Sequence, residues 1–350
     1  MITQQAIARQ LGISRSAVAG HIMHLTAKGI IKGRGYVFSD APFVAVIGGM
    51  NMDIHGVPKA PLRMTDSNPG NVLTSPGGVA RNIAENLARL GADCRLIAPV
   101  GNDQHGESLL RQGRDAGIDM RHVVKLESAP TSTYMSVLDD CGDMHVAISD
   151  MTIIDELGSE RLQVHERMLK QAALIVLDTN LNDDALAYLT GTFADRTLFV
   201  DTVSTTKGVK IKPYLSAVHT LKPSLIEAEA LAGVKARTDK KLPALAGWFH
   251  ERGVERVFIT LGARGVFYST SDAQGIEKLR GNISDMRNAG GAGDAFLAGL
   301  AYAWLNEWPL RNSLGFSLAA ASVTLSHEQT SSPALSLTAV NRLYRGSHAE

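Results

Sequence analysis

The sequence predicts a large α/β domain, a mostly parallel sheet covered by helices on both faces, behind a short and separate N-terminal segment. Three observations carry this. From Phe43 onward, short apolar runs alternate with amphipathic helical stretches, the rhythm of parallel strands joined by crossover helices. Residues 54–75 and 132–149 break that rhythm with strand-like alternation and polar turns. Residues 1–40 stand apart in charge: Arg9, Arg15, Lys28, Lys32 and Arg34 face the single acid Asp40, whereas the whole chain balances 35 basic against 35 acidic residues.

Composition bounds the function. A chain of 350 residues has room for one large domain and a small appendage. A hydrophobic share of 45% with 20% charged residues is that of a water-soluble globular protein. Zero formal net charge supplies no bulk field toward nucleic acid or membrane. Two cysteines, Cys94 and Cys141, make no disulfide framework, so the expected location is the reducing cytoplasm. MITQQAIARQ lacks the basic start and apolar core of a signal peptide, and no apolar run reaches membrane-spanning length.

Along the chain, 4–11 reads as a helix, with Gly12 suited to its end and Ser14 to the next N-cap. Residues 15–28 read as a second helix with Val18, Ile22 and Leu25 on one face, and 30–38 as two strands about a glycine turn. This segment, 1–40, resembles a winged helix-turn-helix. In that arrangement Arg15, Ser16, Ala19 and His21 would be available to DNA, with Lys32 and Arg34 near phosphates. The remainder, 43–345, forms the main domain, with strands expected at 43–47, 95–99, 174–177, 197–200, 220–222 and 257–260.

Two glycine-rich elements carry the chemistry. In Asn288-Ala289-Gly290-Gly291-Ala292-Gly293-Asp294 the small residues run into an apolar helix, whose free N–H groups favour an anion. An Asp there suits a general base beside a site that stabilises developing phosphate charge. Pro76-Gly77-Gly78-Val79-Ala80-Arg81-Asn82 also runs into a helix, with Ile83, Leu87 and Leu90 at helical spacing.

These two elements, in this order and near the two ends of one domain, resemble the ribokinase-like carbohydrate and nucleoside kinases. Residues 44–53, the turn Gly101-Asn102-Asp103-Gln104-His105-Gly106 and Thr260-Leu261-Gly262-Ala263-Arg264-Gly265 fit the same family in order. The resemblance implies a three-layer α/β/α sandwich with a small β lid at about 54–75 and 132–149, and a homodimer joined through the lid. It implies ATP-dependent phosphorylation of an alcohol. Asp294 would be the base, and the backbone of Gly291, Ala292 and Gly293 the anion hole. Asn51, Asp53, Gly77, Gly78 and Asn82 would hold the sugar, Thr260, Gly262, Gly265 and Asn288 would lie on the cofactor side, and Glu227 would organise Mg²⁺. The family's usual N-x-x-E reads Ser224 to Glu227 here. The acidic residue that often helps hold potassium is replaced by Asn288, which leaves potassium dependence open. The adenine pocket is expected around 322–329.

Within the family, Asp66-Ser67-Asn68-Pro69-Gly70, Thr131-Ser132-Thr133-Tyr134 and Asp201-Thr202-Val203-Ser204 most resemble the pseudouridine kinases. That implies transfer to the 5′-hydroxyl of pseudouridine in nucleoside catabolism, with Ser67, Asn68, Thr133 and Lys207 as candidates for reading the base. Uridine, inosine or ribose as acceptor, and a ligand-sensing DNA-binding regulator, are the alternatives.

Overall fold

The computed structural model describes residues 3–28, 30–32, 37–38, 42–141, 143–278, 290–327 and 329–346. The chain divides into two units, Met1–Pro42 and Phe43–Glu350.

In the first unit, Thr3 caps helix α1 (Gln4–Leu11) by accepting from the N–H of Ala6, and Ser14 caps α2 (Arg15–Ala27) by accepting from that of Ala17. Strands β1 (Ile31–Lys32) and β2 (Val37–Phe38) pair antiparallel, as the glycine turn predicts. Ala8, Val18 and Ile31 are buried, with Ile22 and Leu25 half-buried. Arg15 and Ser16 are exposed at the start of α2. Lys32 belongs to β1, and Arg34 lies outside the described residues.

The second unit contains β3 (Phe43–Ile47), β4 (Asn51–Pro58), β5 (Gly70–Gly77), α3 (Val79–Arg89), β6 (Asp93–Ile97), β7 (Pro99–Gly101), α4 (Gln104–Asp115), β8 (Val124–Leu126), β9 (Thr133–Leu138) and β10 (Met144–Asp150). Then follow β11 (Leu174–Asp178), β12 (Leu198–Asp201), β13 (Thr220–Lys222), α5 (Leu225–Ala232), β14 (Arg256–Thr260), β15 (Val266–Ser269), β16 (Gln274–Glu277), α6 (Ala292–Leu305) and α7 (Leu310–Leu325). Further helices complete it, among them Asp183–Thr192, Leu242–His250 and Leu337–Gly346.

Eight strands form one sheet in the order β16-β15-β14-β13-β12-β11-β3-β6, parallel from β14 to β6 and antiparallel at β15 and β16. Every residue of β3 is buried. Phe43, Ala45 and Ile47 join one hydrophobic cluster and Val44 and Val46 the other, so both faces are covered. Helix α6 is apolar nearly all round because it lies inside the second cluster against α7, with Phe296, Leu297 and Leu300 beside Leu314 and Leu318. No helix among the described residues is long and apolar enough to cross a membrane.

One expectation needs correction and one element was absent from the expectations. The strand expected at 95–99 ends at Ile97: Pro99 has no N–H for the ladder, and Pro99–Gly101 pairs with β8 instead. The antiparallel edge β15–β16 was not foreseen, since short strands at a sheet edge lack the fully apolar run of a central strand. The two rhythm-breaking stretches form a second sheet, in the order β10-β9-β4-β5.

Candidate active site

Parallel strands end on the same side of a sheet, and the carboxyl edge is where open α/β sheets take ligands. Here the register pairs Asp178 with Asp201 and Asp201 with Lys222, so three neighbouring apolar strands each end on a charge. Asp178 is fully buried and accepts from the N–H groups of Gly49, Ala80 and Asn180, each at 2.9 Å, and from the amide of Asn180 at 3.0 Å. It thereby ties the loop after β3 to the start of α3. Burial raises the pKa of its carboxyl, and these bonds oppose the rise. Lys207 joins the same group, its ammonium 2.6 Å from Asn180 Oδ1.

Asp53, at the start of β4, takes a hydrogen bond from the Asn51 amide at 2.6 Å. Its carboxylate lies against Gly77, where a Cβ would come within 2.3 Å of Oδ2. Burial raises its pKa, against the lowering effect of Asn51. Gly78 has φ 100°, and a Cβ there would meet Gly49 O at 2.5 Å, so only glycine lets these two loops touch. One turn into α3, Asn82 donates its amide to Asp294 Oδ2 at 2.9 Å.

Asp294 lies in the first turn of α6. Gly291, which precedes that turn, has φ 76°, and a Cβ there would come within 1.8 Å of Thr330 O. The first intrahelical bond runs from Ala295 N to Gly291 O, so the N–H groups of Ala292, Gly293 and Asp294 have no intrahelical partner. The carboxyl of Asp294 is pushed up to about 7 by burial, then by the charge of Asp201; Lys222 and Asn82 hold it down. That value suits a base working near neutrality. Lys222 Nζ is 2.6 Å from Asp201 Oδ2. Burial alone would lower the pKa of Lys222, but Asp201 and Asp294 hold it above the ordinary lysine value.

Beside this turn is a cavity of about 280 Å³ lined by Thr260, Gly262, Gly265 and Gly293, with Phe296, Leu318, Ala321 and Leu325 as its apolar wall. An apolar cavity next to a helix N-terminus suits a purine and its phosphates. Glu227 Oε2 accepts from Thr202 Oγ1 at 2.7 Å and from the N–H of Ser224 at 2.8 Å, which makes it half of a capping box for α5. Ser224 Oγ makes the other half of that box, accepting from the backbone N–H of Glu227. A carboxylate and a hydroxyl are hard oxygen donors of the kind Mg²⁺ takes.

Comparison with known proteins decides the family. Residues 41–337 match the pfkB family of carbohydrate kinases, and residues 2–32 match winged helix-turn-helix DNA-binding segments. The chain belongs to the pfkB carbohydrate kinase family. It is similar to the pseudouridine kinase of Escherichia coli (strain K12), 39% identical over 299 residues, covering 85% of this chain and 95% of that one. The uncharacterized sugar kinase YeiI of the same organism is 36% identical over 336 residues, 96% of this chain and 92% of that one. A carbohydrate kinase structure from Agrobacterium tumefaciens superimposes with a TM-score of 0.77 at 27% identity, covering 87% of this chain and 97% of that one. The protein is an ATP-dependent kinase of a sugar or nucleoside, with the Mg²⁺-assisted phosphotransfer typical of ribokinase-like enzymes.

The kinase brings most of the anticipated residues together. Asn51, Asp53, Gly77, Gly78, Asn82, Lys207 and Asp294 are joined by the contacts above, and Thr260, Gly262, Gly265, Ala292 and Gly293 line one cavity. The expected adenine segment meets this cavity through Leu325, while Leu318 and Ala321 contribute from earlier turns of α7. Asn288 lies outside the described residues.

Three candidates for reading the base are not brought to Asp53. The hairpin carries Ser67 and Asn68 beyond Pro58, five residues past Asp53, or about 17 Å along the strand. Asn68 closes its own loop there, accepting from Arg63 N and donating to Arg63 O and Asp66 O. Thr133 pairs with Met52 while Tyr134 pairs with Asp53, so Tyr134 shares the face of Asp53 and Thr133 takes the opposite one. Asp178, Asn180 and Lys222 were given no role by the sequence reading, and Asp201 and Thr202 entered it only within the motif 201–204. A signal existed: a polar residue closing a buried apolar run marks a strand's carboxyl end.

Proposed function

We propose that this kinase transfers the γ-phosphoryl group of ATP to the 5′-hydroxyl of pseudouridine. The observation that carries the reading is the Asn82–Asp294 contact. It joins the sugar-side loops to a carboxylate in the first turn of α6, beside the apolar cavity.

Asp53 accepts the two ribose hydroxyls, for which a carboxylate offers a fork of lone pairs. Asp294 takes the proton of the 5′-hydroxyl as its oxygen bonds to phosphorus. The N–H groups of Ala292, Gly293 and Asp294 face the charge that develops on the phosphoryl oxygens. Glu227 and Ser224 would hold Mg²⁺, which spreads the charge of the ATP phosphates. Potassium belongs to the same reading. Ser331 Oγ is a buried hydroxyl without a hydrogen-bond partner, and it follows Thr330, whose carbonyl packs on Gly291.

Pseudouridine differs from uridine by a second ring N–H, so preference requires an acceptor aimed at that edge. Asn180 Oδ1, held by Lys207, and the hydrogen-bonded pair His55–Ser136 on the Asp53 face of the lid are the acceptor-bearing groups this reading assigns to that edge. Similarity to a pseudouridine kinase over 95% of its length supports this choice.

The reading includes a second copy of the chain. Ile148, Met135, Val146 and Val72 are exposed and occupy rows of the lid that alternate with the row of Asp53 and Tyr134, so they form an apolar face turned away from the substrate. Its other partner is DNA, met by Arg15 and Ser16 of α2.

The test is ADP release with pseudouridine, uridine, inosine and ribose in parallel, with Asp294→Asn as control. Preference for pseudouridine that vanishes in the variant supports substrate and base together. Turnover of another acceptor removes the pseudouridine assignment, and undiminished turnover by Asp294→Asn removes the base.

A further inference from the structure

One buried cation in this site has no part in the scheme above. The side chain of Lys222 is 7% exposed and that of Asp201 is 3% exposed, with 2.6 Å between Nζ and Oδ2. On its other side the ammonium rests against the first turn of α6, where a Cβ on Gly293 would lie 2.8 Å from Nζ. Removing a lysine and an aspartate from water is costly, and an apolar pair at two strand ends is often at least as stable. The backbone ladder already joins β12 to β13, so the pair has a use other than holding the strands together.

The surrounding charges indicate that use. Asp201, Asp294 and Glu227 all act on Lys222, and Asp178 acts on Asp294. A phosphoryl group arriving at the N-terminus of α6 brings further negative charge into this acidic, water-poor corner. Lys222 is the ammonium that already borders that first turn.

We propose that Lys222 is a catalytic residue: its ammonium donates a hydrogen bond to the phosphoryl group in transit at the first turn of α6, while Asp201 holds it in place. The inference rests on the kinase reading of that turn given above. In the step, the acceptor oxygen forms its bond to the γ-phosphorus of ATP. The bond from that phosphorus to the bridging oxygen breaks, its electron pair leaves with ADP, and the acceptor proton passes to Asp294. Lys222 keeps its protons and supplies charge where charge develops. It also keeps Asp294 more acidic than burial alone would leave it.

The experiment compares wild type, Lys222→Met, Lys222→Arg and Asp294→Asn in the full chain, using ATP and the acceptor that wild type phosphorylates fastest. It reads kcat, the acceptor KM, the pH profile of kcat/KM and the melting temperature. Lys222→Met is expected to lower kcat about 10²–10³-fold while the acceptor KM moves less than about threefold. The acidic limb of its profile moves to higher pH, because the charge holding Asp294 down is gone. Lys222→Arg recovers part of kcat. A Lys222→Met enzyme with kcat within about threefold of wild type and an unmoved limb overturns the proposal. If that variant does not fold, Lys222→Met combined with Asp201→Leu, which strands no buried charge, is read by kcat and the acceptor KM against Asp201→Leu alone, because the loss of Asp201 lowers Asp294 while the loss of Lys222 raises it. Asp294→Asn separates the two readings: full activity there removes the base, while kcat of Lys222→Met still decides the lysine.

Discussion

Asp294 is held between opposing influences, and its behaviour with pH follows from them. Burial and Asp201 favour the protonated form, Lys222 and Asn82 the charged one, and the balance lies at about 7. A base works only when deprotonated, so kcat/KM should fall about tenfold per unit as pH drops below that value. A profile flat between pH 5 and 7 would be incompatible with this assignment. Gly291 is the second residue on which the site depends. Its φ of 76° is one that a side chain disfavours, by about 1–2 kcal/mol, and a Cβ would lie 1.8 Å from Thr330 O. Gly291→Ala should therefore lower the melting temperature and abolish turnover together, measured by thermal unfolding and ADP release. Wild-type kinetics in Gly291→Ala would mean that the loop does not depend on this contact.

At the scale of the element, the lid combines two surfaces in one four-stranded sheet. Alternation along β4 and β9 gives Asp53, His55, Tyr134 and Ser136 one face and Met52, Ile54, Met135 and Val137 the other. The second face continues into Ile148 and Val146 of β10, both exposed. In the proposed dimer this exposed apolar sheet face is the one a second copy covers. Ile148→Glu places a charge there without touching the Asp53 face. It should shift the chain toward monomer in sedimentation velocity, and unchanged sedimentation would remove the lid from the interface. Helix α5 shows how one residue serves two scales. Glu227 caps its own helix through the Ser224 N–H and reaches back to Thr202 on the next strand connection.

At the scale of the molecule, a kinase unit of the pfkB family and a winged helix-turn-helix segment lie in one chain. The surplus of basic residues belongs to the smaller unit, where Arg15 is exposed at the start of α2. Arg15→Ala should weaken DNA binding and reduce its log–log salt slope by about one, with kcat unchanged. DNA binding of wild-type strength and slope in Arg15→Ala would place the contact elsewhere. Catalysis that changed with Arg15 would argue instead for a role of the first unit in the kinase reaction.

Much of this architecture was legible in the order of the amino acids. The alternation of apolar runs and helices, the glycine-rich turns and the placement of Asp294 after four small residues are local patterns, each contained in one element and its cap. They determined the fold class, the family resemblance, the lid segments and the base candidate. Lateral pairing is decided elsewhere. Asp178, Asp201 and Lys222 become neighbours because β11, β12 and β13 lie side by side in register, and no periodicity within one strand encodes which strand lies next to it. Asn82 and Asp294 are 212 positions apart and meet only because α3 and α6 pack on the same face of the sheet. For the same reason the places of Asn68 and Thr133 in the fold were not legible in their motifs. A short polar residue satisfies whichever hydrogen-bond partner the folded chain brings nearest, and register, set by the packing of the whole domain, decides which face it shows.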